Sequence, residues 1–442
     1  MSSAVAVAPT LDTEPATSHR RSPLDSAVLF GATGLLFFAP LAFGAVEPWA
    51  LFVLEAGSTA LFALWALHEA ATGELKIAGN VTFLPMLAFG ALIIFQIATK
   101  QTAYRAATGS AFLLFFSYGL LCFLVVQCLR RTWQVKAAAI AFSAYGFVLA
   151  TFSLIQSLAP NGKLYWMRTP KFGGWIYGPY VNHNHYAGLI EMLFPIPLVI
   201  FLSPRVQRSH KAMAAVASAV MVSTIFLCGS RGGMLAFAVQ MALLAAVLIR
   251  RRERRRTTMA LAAFFVLAFA VLAWIGSAEL AQRMTSIPIA TRTELSGGMR
   301  LSIDRDCLKM FLHKPVTGWG LGVFSEVYPQ FRSFYTNLTI DQAHNDYLQF
   351  LVETGVVGFG IIAWFLFSVC RAAFAKLKVS LPDLNADVAL AALLGISGIL
   401  VHSFVDFNLQ IPANAVLFLV ICTVAGMEQR FGVHPRRRPG AA

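Results

Sequence analysis

Two arginines, several histidines and a set of asparagines and glycines are the residues in this chain equipped to do chemistry, and they fall into four short clusters. The first is Asn182-His183-Asn184-His185-Tyr186 and the second Gly229-Ser230-Arg231-Gly232-Gly233. The third is Arg300, and the fourth is His344-Asn345-Asp346-Tyr347-Leu348-Gln349, with Glu353 and Gly355 behind it. A guanidinium is always cationic, and its fork matches two phosphate oxygens at once. Glycines beside Arg231 let backbone N–H groups approach the same anion. Histidine is the side chain best matched to take a proton from a hydroxyl near neutral pH. Two anion clamps and one base describe displacement of a lipid diphosphate by an alcohol. In such a displacement arginine takes over the charge-neutralising role that a metal plays elsewhere.

Each cluster also has a plainer reading. Asp346 and Gln349 fit a capping box that only starts a helix. Arg231 fits an arginine snorkelling to headgroups from a helix end. His183 and His185 fit wet interfacial positions, and His313 and Lys314 fit loop surface. For any single residue the plainer reading suffices. It does not cover four clusters, distant in sequence, that converge on one face of an apolar protein. Ionisable residues at membrane depth cost about 2.5–3.5 kcal/mol each on insertion scales, which favours a functional reading.

The elements that must position these clusters are membrane helices. Hydrophobic residues make up 57% of the 442 and charged residues 13%, against about a quarter charged in a soluble domain. A spanning helix needs roughly 20 apolar residues. That template predicts spans near 26–44, 49–67, 81–98, 109–129, 135–158, 185–203, 212–228, 233–250, 258–276, 356–374, 387–403 and 411–427. Pro40, Pro195 and Pro197 are expected to kink their helices. The fold expected is an all-α integral membrane bundle of about twelve helices, with one large periplasmic loop before the tenth.

The chain then divides into a disordered cytoplasmic segment, 1–25, nine helices within 26–276, and a loop with short helices, 277–346. Three more helices occupy 347–428, and a basic cytoplasmic tail runs over 429–442. Orientation follows from Lys and Arg, most of whose 35 copies fall on the side of the termini, including six arginines within 250–256. Both termini are therefore expected in the cytoplasm, with all four clusters outside. The arginine run reads as a stop signal between helices rather than a nucleic-acid site, because no aromatic platform accompanies it. Within the long loop, Leu301, Leu308, Phe311 and Leu312 mark a helical face that Pro315 ends. Gly318-Trp319-Gly320-Leu321-Gly322 then makes a turn. The six cysteines show neither metal-ligand spacing nor a disulfide framework.

From Ser296 to Gly358 the chain closely resembles the O-antigen ligase / O-antigen polymerase superfamily. The resemblance lies in the Gly-Gly-Met-Arg helix, the Lys-Pro-Val-Thr-Gly-Trp-Gly-Leu-Gly turn and the His-Asn-Asp-Tyr-Leu-Gln-Phe-Leu-Val-Glu-Thr-Gly stretch. It implies glycosyl transfer at the periplasmic face of the bacterial inner membrane, without metal or other cofactor. The donor implied is a glycan on undecaprenyl diphosphate, and the acceptor a hydroxyl on lipid A–core, on another glycan or on a protein serine. It casts His344 as general base and Arg231 and Arg300 as diphosphate-binding residues. Asn182, His183, Asn184, His185, Asn345 and His402 are expected to line the substrate. The segment from His402 to Pro412 recurs in some such proteins, and His402 and Asp406 would share a helix face.

Two other readings stay open. A transporter of anionic lipids would also gather basic residues beside a cavity, but it predicts charges at mid-membrane and repeat symmetry between halves. Glu55 and Glu191 come nearest to the first requirement. A metal site built from His183, His185, His344 and His402 would need those four rings to converge.

Overall fold

Prolines and glycines at the ends of apolar runs set where the helices start and stop. The computed structural model describes residues 23–73, 77–170, 174–250, 262, 264–266, 268, 270, 297–337, 339–377, 383–428 and 431. In chain order the helices are α1 Pro23–Leu41, α2 Pro48–Thr72, α3 Phe83–Ala98, α4 Arg105–Cys128 and α5 Thr132–Leu158. Next come α6 His183–Leu193, α7 Pro195–Leu202, α8 Arg208–Leu227 and α9 Arg231–Arg250. Then follow α10 Gly297–His313, α11 Phe324–Val327, α12 Asp346–Leu377, α13 Leu384–His402 and α14 Pro412–Gly426. Pro48 and Pro412 open their helices at positions where a missing N–H costs nothing. Gly73 closes α2 with a left-handed φ of 70°.

Among the described residues nine spans are long and apolar enough to cross a bilayer, and α3 and α14 are shorter apolar helices. Eleven predicted segments thus coincide with helices. The ninth, 258–276, lies mostly outside the described residues, as do segment 1–22, the arginine run and all of the basic tail except Phe431. The chain is a multi-pass membrane protein. Pro195 does more than kink the sixth span, since α6 stops at Leu193 and α7 starts anew at the proline.

Without a hydrophobic drive between helices in lipid, close approach through small residues holds the bundle together. Gly31 of α1 meets Leu61 of α2, and Gly57 of α2 meets Leu35 of α1. A Cβ on either glycine would stand 2.7 or 2.8 Å from the leucine side chain.

The segment between α9 and α12 carries a small core of its own, with Ile303, Cys307, Met310, Phe324, Tyr328 and Ala343 among its buried residues. The face of α10 turned inward is therefore Ile303, Cys307 and Met310. Of the face expected from sequence, Leu301, Leu308 and Leu312 are exposed, while Phe311 packs half-buried against this core. Both stripes have helical spacing, and the packing against α11 and residues 340–352 selects one of them. Among the described residues no disulfide is present.

This segment is stitched onto a break in α12. Gly355 has φ 64° inside that helix, and a Cβ there would lie 2.3 Å from Val316 O. Four strand-like bonds fill the gap, from Trp319 N to Val352 O, Gly320 N to Glu353 O, Val356 N to Pro315 O and Val357 N to Val316 O. Gln96 of α3 donates to Thr317 O and Glu353 O at the same junction. The motif glycines are thus joints that lock the loop to the helix, and the locked pair presents His344.

Candidate active site

His344, Asn345 and Asp346 are consecutive and do three different things. His344 sits at φ 55°, a left-handed backbone that costs a bulky residue about 1–3 kcal/mol and clusters at functional sites. Asn345 accepts from Leu348 N at 3.2 Å and so caps α12. The cap lies one residue before the Asp346–Gln349 box expected from sequence. Gln349 instead turns back to accept from Ala343 N at 2.9 Å. Asp346 reaches across to the turn between α13 and α14. Its Oδ2 accepts from Ser403 Oγ at 2.8 Å and Leu409 N at 3.0 Å, and its own N–H donates to Ser403 O at 2.9 Å.

That clamped turn delivers Asp406. Its Oδ1 lies 3.3 Å from His344 Nδ1 and 3.9 Å from His185 Nε2, and accepts from Phe407 N at 2.9 Å. The His344 contact is close but off the line of a well-formed hydrogen bond, as catalytic contacts often are before substrate arrives. Phe407 holds both rings edge-on, with centroids 4.7 Å from His344 and 4.6 Å from His185. Burial alone would push the Asp406 carboxyl up. The His344 ring, with the charges of His185 and Arg300, outweighs it and holds the group far below the usual carboxylate range.

Arg300 comes to the same turn from α10. Its Nη1 donates to Val405 O at 2.8 Å, while its Nε is buried with no partner among the described residues. Asp304, one helical turn on, has its carboxyl pushed up by burial, against the pull of Asn345, Arg300 and His344. Arg300 and His344 therefore converge on consecutive residues, Val405 and Asp406.

The other candidates divide. Arg231 opens α9, is exposed, and makes no ion pair among the described residues. Asn182 caps α6 by accepting from Asn184 N at 2.8 Å. Asn184 is buried beside it. His183 stacks on Trp175 with centroids 4.6 Å apart. His402 is buried and paired with Glu191 at 2.8 Å. It does not share a helix face with Asp406, because α13 ends at His402 and the two side chains go to separate partners. His183 and His402 thus turn away from the Asp406 carboxylate that His185 and His344 share, and among the described residues no group of three His, Cys, Asp or Glu side chains could hold a metal ion.

Asp406 and Glu191 are the residues that sequence reading undervalued. Asp406 was visible in its segment without a role, because its partners come from α6 and from the loop before α12. Asp346 also lines an apolar cavity of about 210 Å³, whose walls include Phe89, Phe115, Phe350, Phe365 and Phe418.

Residues 216–363 match the family model described as O-antigen ligase. The match includes Arg231, Arg300 and His344 and ends before Asp406. No curated protein matches the chain. Over those residues the chain carries an O-antigen ligase domain, which agrees with the motifs between Ser296 and Gly358 and supports membership of that superfamily.

Proposed function

We propose that a chain with this domain is an inverting glycosyltransferase, moving a glycan from undecaprenyl diphosphate to an acceptor hydroxyl at the periplasmic face of the inner membrane. O-antigen transfer to lipid A–core is the reaction favoured. A glycan or exopolysaccharide polymerase and a protein O-oligosaccharyltransferase use the same chemistry. The observation that carries the reading is the convergence of an Asp406-backed histidine and a half-satisfied Arg300 on one turn.

In this reaction His344 Nε2 takes the acceptor's hydroxyl proton as the oxygen attacks the anomeric carbon. The new C–O bond forms opposite the one that breaks, so configuration inverts. The bonding pair leaves with the diphosphate oxygen, whose growing charge faces Arg300 and Arg231. Asp406 holds the Nδ1 proton and stabilises the imidazolium that results. Arginine forks then do the work a divalent cation does elsewhere. The apolar cavity under Asp346 suits a hydrocarbon chain such as the donor's isoprenoid tail. A transporter would leave the Asp406–His344 pair without a task.

Cells lacking this gene test the assignment, with lipopolysaccharide and lipid-linked glycans resolved by gel and mass spectrometry. Long glycans accumulating on undecaprenyl diphosphate identify a ligase, and single repeat units a polymerase. No change in either overturns the glycosyltransferase reading and favours the transporter.

A further inference from the structure

One buried ionisable pair has no part in the displacement above. Glu191 lies in α6 and His402 ends α13, and both side chains are almost wholly buried. His402 Nδ1 stands 2.8 Å from Glu191 Oε1. A carboxylate only accepts, so the Nδ1 proton lies in this contact, and Nε2 faces away from it. Ser230 Oγ lies 3.5 Å from that Nε2 and itself accepts from Gly233 N at 3.1 Å. A run of polar contacts thus links Gly233 through Ser230 and His402 to Glu191.

Two glycines let the start of α9 press against this pair. A Cβ on Gly232 would stand 2.5 Å from His402 Cδ2 and 2.6 Å from its Nε2. One on Gly233 would stand 3.1 Å from Glu191 Oε1. Deeper in α9, Gln240 Nε2 donates to Glu191 O and Leu394 O, tying α9 to α6 and α13. On its other side His402 O accepts from Val405 N at 3.0 Å and Asp406 N at 3.1 Å. The residue that abuts the turn carrying Arg231 thus also begins the turn carrying Asp406.

The pair is a poor device for stability. Buried ion pairs often contribute less than well-packed apolar side chains of the same volume, and Glu191 Oε2 is buried without a partner among the described residues. What it supplies is a fixed relation between two turns. We propose that Glu191 and His402 are positioning residues that set the turn bearing Arg231 against the turn bearing Asp406. The arginine then meets the donor diphosphate while His344 meets the acceptor. This rests on the diphosphate role proposed for Arg231.

The test uses the full-length protein in lipid nanodiscs, with undecaprenyl diphosphate binding and the two KM values measured for wild type, His402→Ala, Gly232→Ala and their double variant. Displacing a binding group by about 1 Å costs on the order of 100-fold. Each single variant is expected to weaken donor binding by about tenfold to 100-fold, with acceptor KM unchanged. In the double variant the added methyl occupies space left by the imidazole, so its loss is smaller than the product of the single losses. A structural role alone would lower the folded yield and leave both KM values of the surviving protein unchanged. Ser230→Ala removes one oxygen and carries the same expectation if His402→Ala does not accumulate. Wild-type donor affinity in His402→Ala or Ser230→Ala, or donor and acceptor KM rising together, would overturn the proposal. Failure of wild type to bind undecaprenyl diphosphate would instead overturn the reading on which it rests.

Discussion

Asp406 Oδ1 stands 3.3 Å from His344 Nδ1 and 3.9 Å from His185 Nε2, so one buried carboxylate serves two imidazoles from distant parts of the chain. In the proposed reaction the carboxylate decides which nitrogen of His344 carries the proton and which takes one from an acceptor. Asp406→Asn keeps the shape and removes that control. Turnover is expected to fall about 10²–10⁴-fold, the range for a disabled general base, with donor affinity kept. Transfer rates and donor binding in the variant check both halves.

The same carboxylate makes a pH prediction. Its folded-state pKa is depressed, so the stability it contributes is complete above the ordinary carboxylate value of about 3.9. That contribution is lost as pH falls from there toward the folded value. Thermal unfolding in detergent should show the gap between wild type and Asp406→Asn narrowing below about pH 4. A gap that widens there would contradict the placement of His344 and Arg300 around Asp406.

Arg300 keeps its charge as lysine but loses the fork and the buried Nε. A hydrogen bond to a charged group is worth about 1.5–3 kcal/mol, so Arg300→Lys should bind undecaprenyl diphosphate roughly tenfold to 100-fold more weakly. Unchanged binding would make Arg300 a loop residue that only steadies Val405.

Asp346 is expected to matter through the turn it clamps. Asp346→Ala leaves Ser403 Oγ–H and Leu409 N–H without their acceptor, at about 1–3 kcal/mol for each buried group. Both thermal stability and turnover should fall, and Asp346→Asn should recover part of each by keeping one acceptor oxygen.

Gly355→Ala should not accumulate, because a Cβ there meets Val316 O at 2.3 Å with φ at 64°. Gly360→Ala on the same helix meets nothing within 4 Å and should express like wild type. Membrane yield of the two variants separates a joint from a spacer.

Local motifs single out His344 and Arg300 in the sequence, and apolar length announces most of the helices. Asp406 carried no such mark. It meets residues brought to it by α6 and by the loop before α12, and no spacing encodes that meeting. Asn345 carries a second task that its place beside His344 does not announce, since its side-chain oxygen caps α12. His402 read as substrate-lining for the same reason, although Glu191 holds its ring inside the bundle. On α10 two stripes of helical period compete, and tertiary packing chose Ile303, Cys307 and Met310.

The most direct test of the account is transfer by purified protein in nanodiscs, from a glycan on undecaprenyl diphosphate to lipid A–core, comparing wild type with His344→Ala. The account predicts product from wild type, and at least about 100-fold less from a variant that still binds donor. Near wild-type turnover by His344→Ala would contradict it.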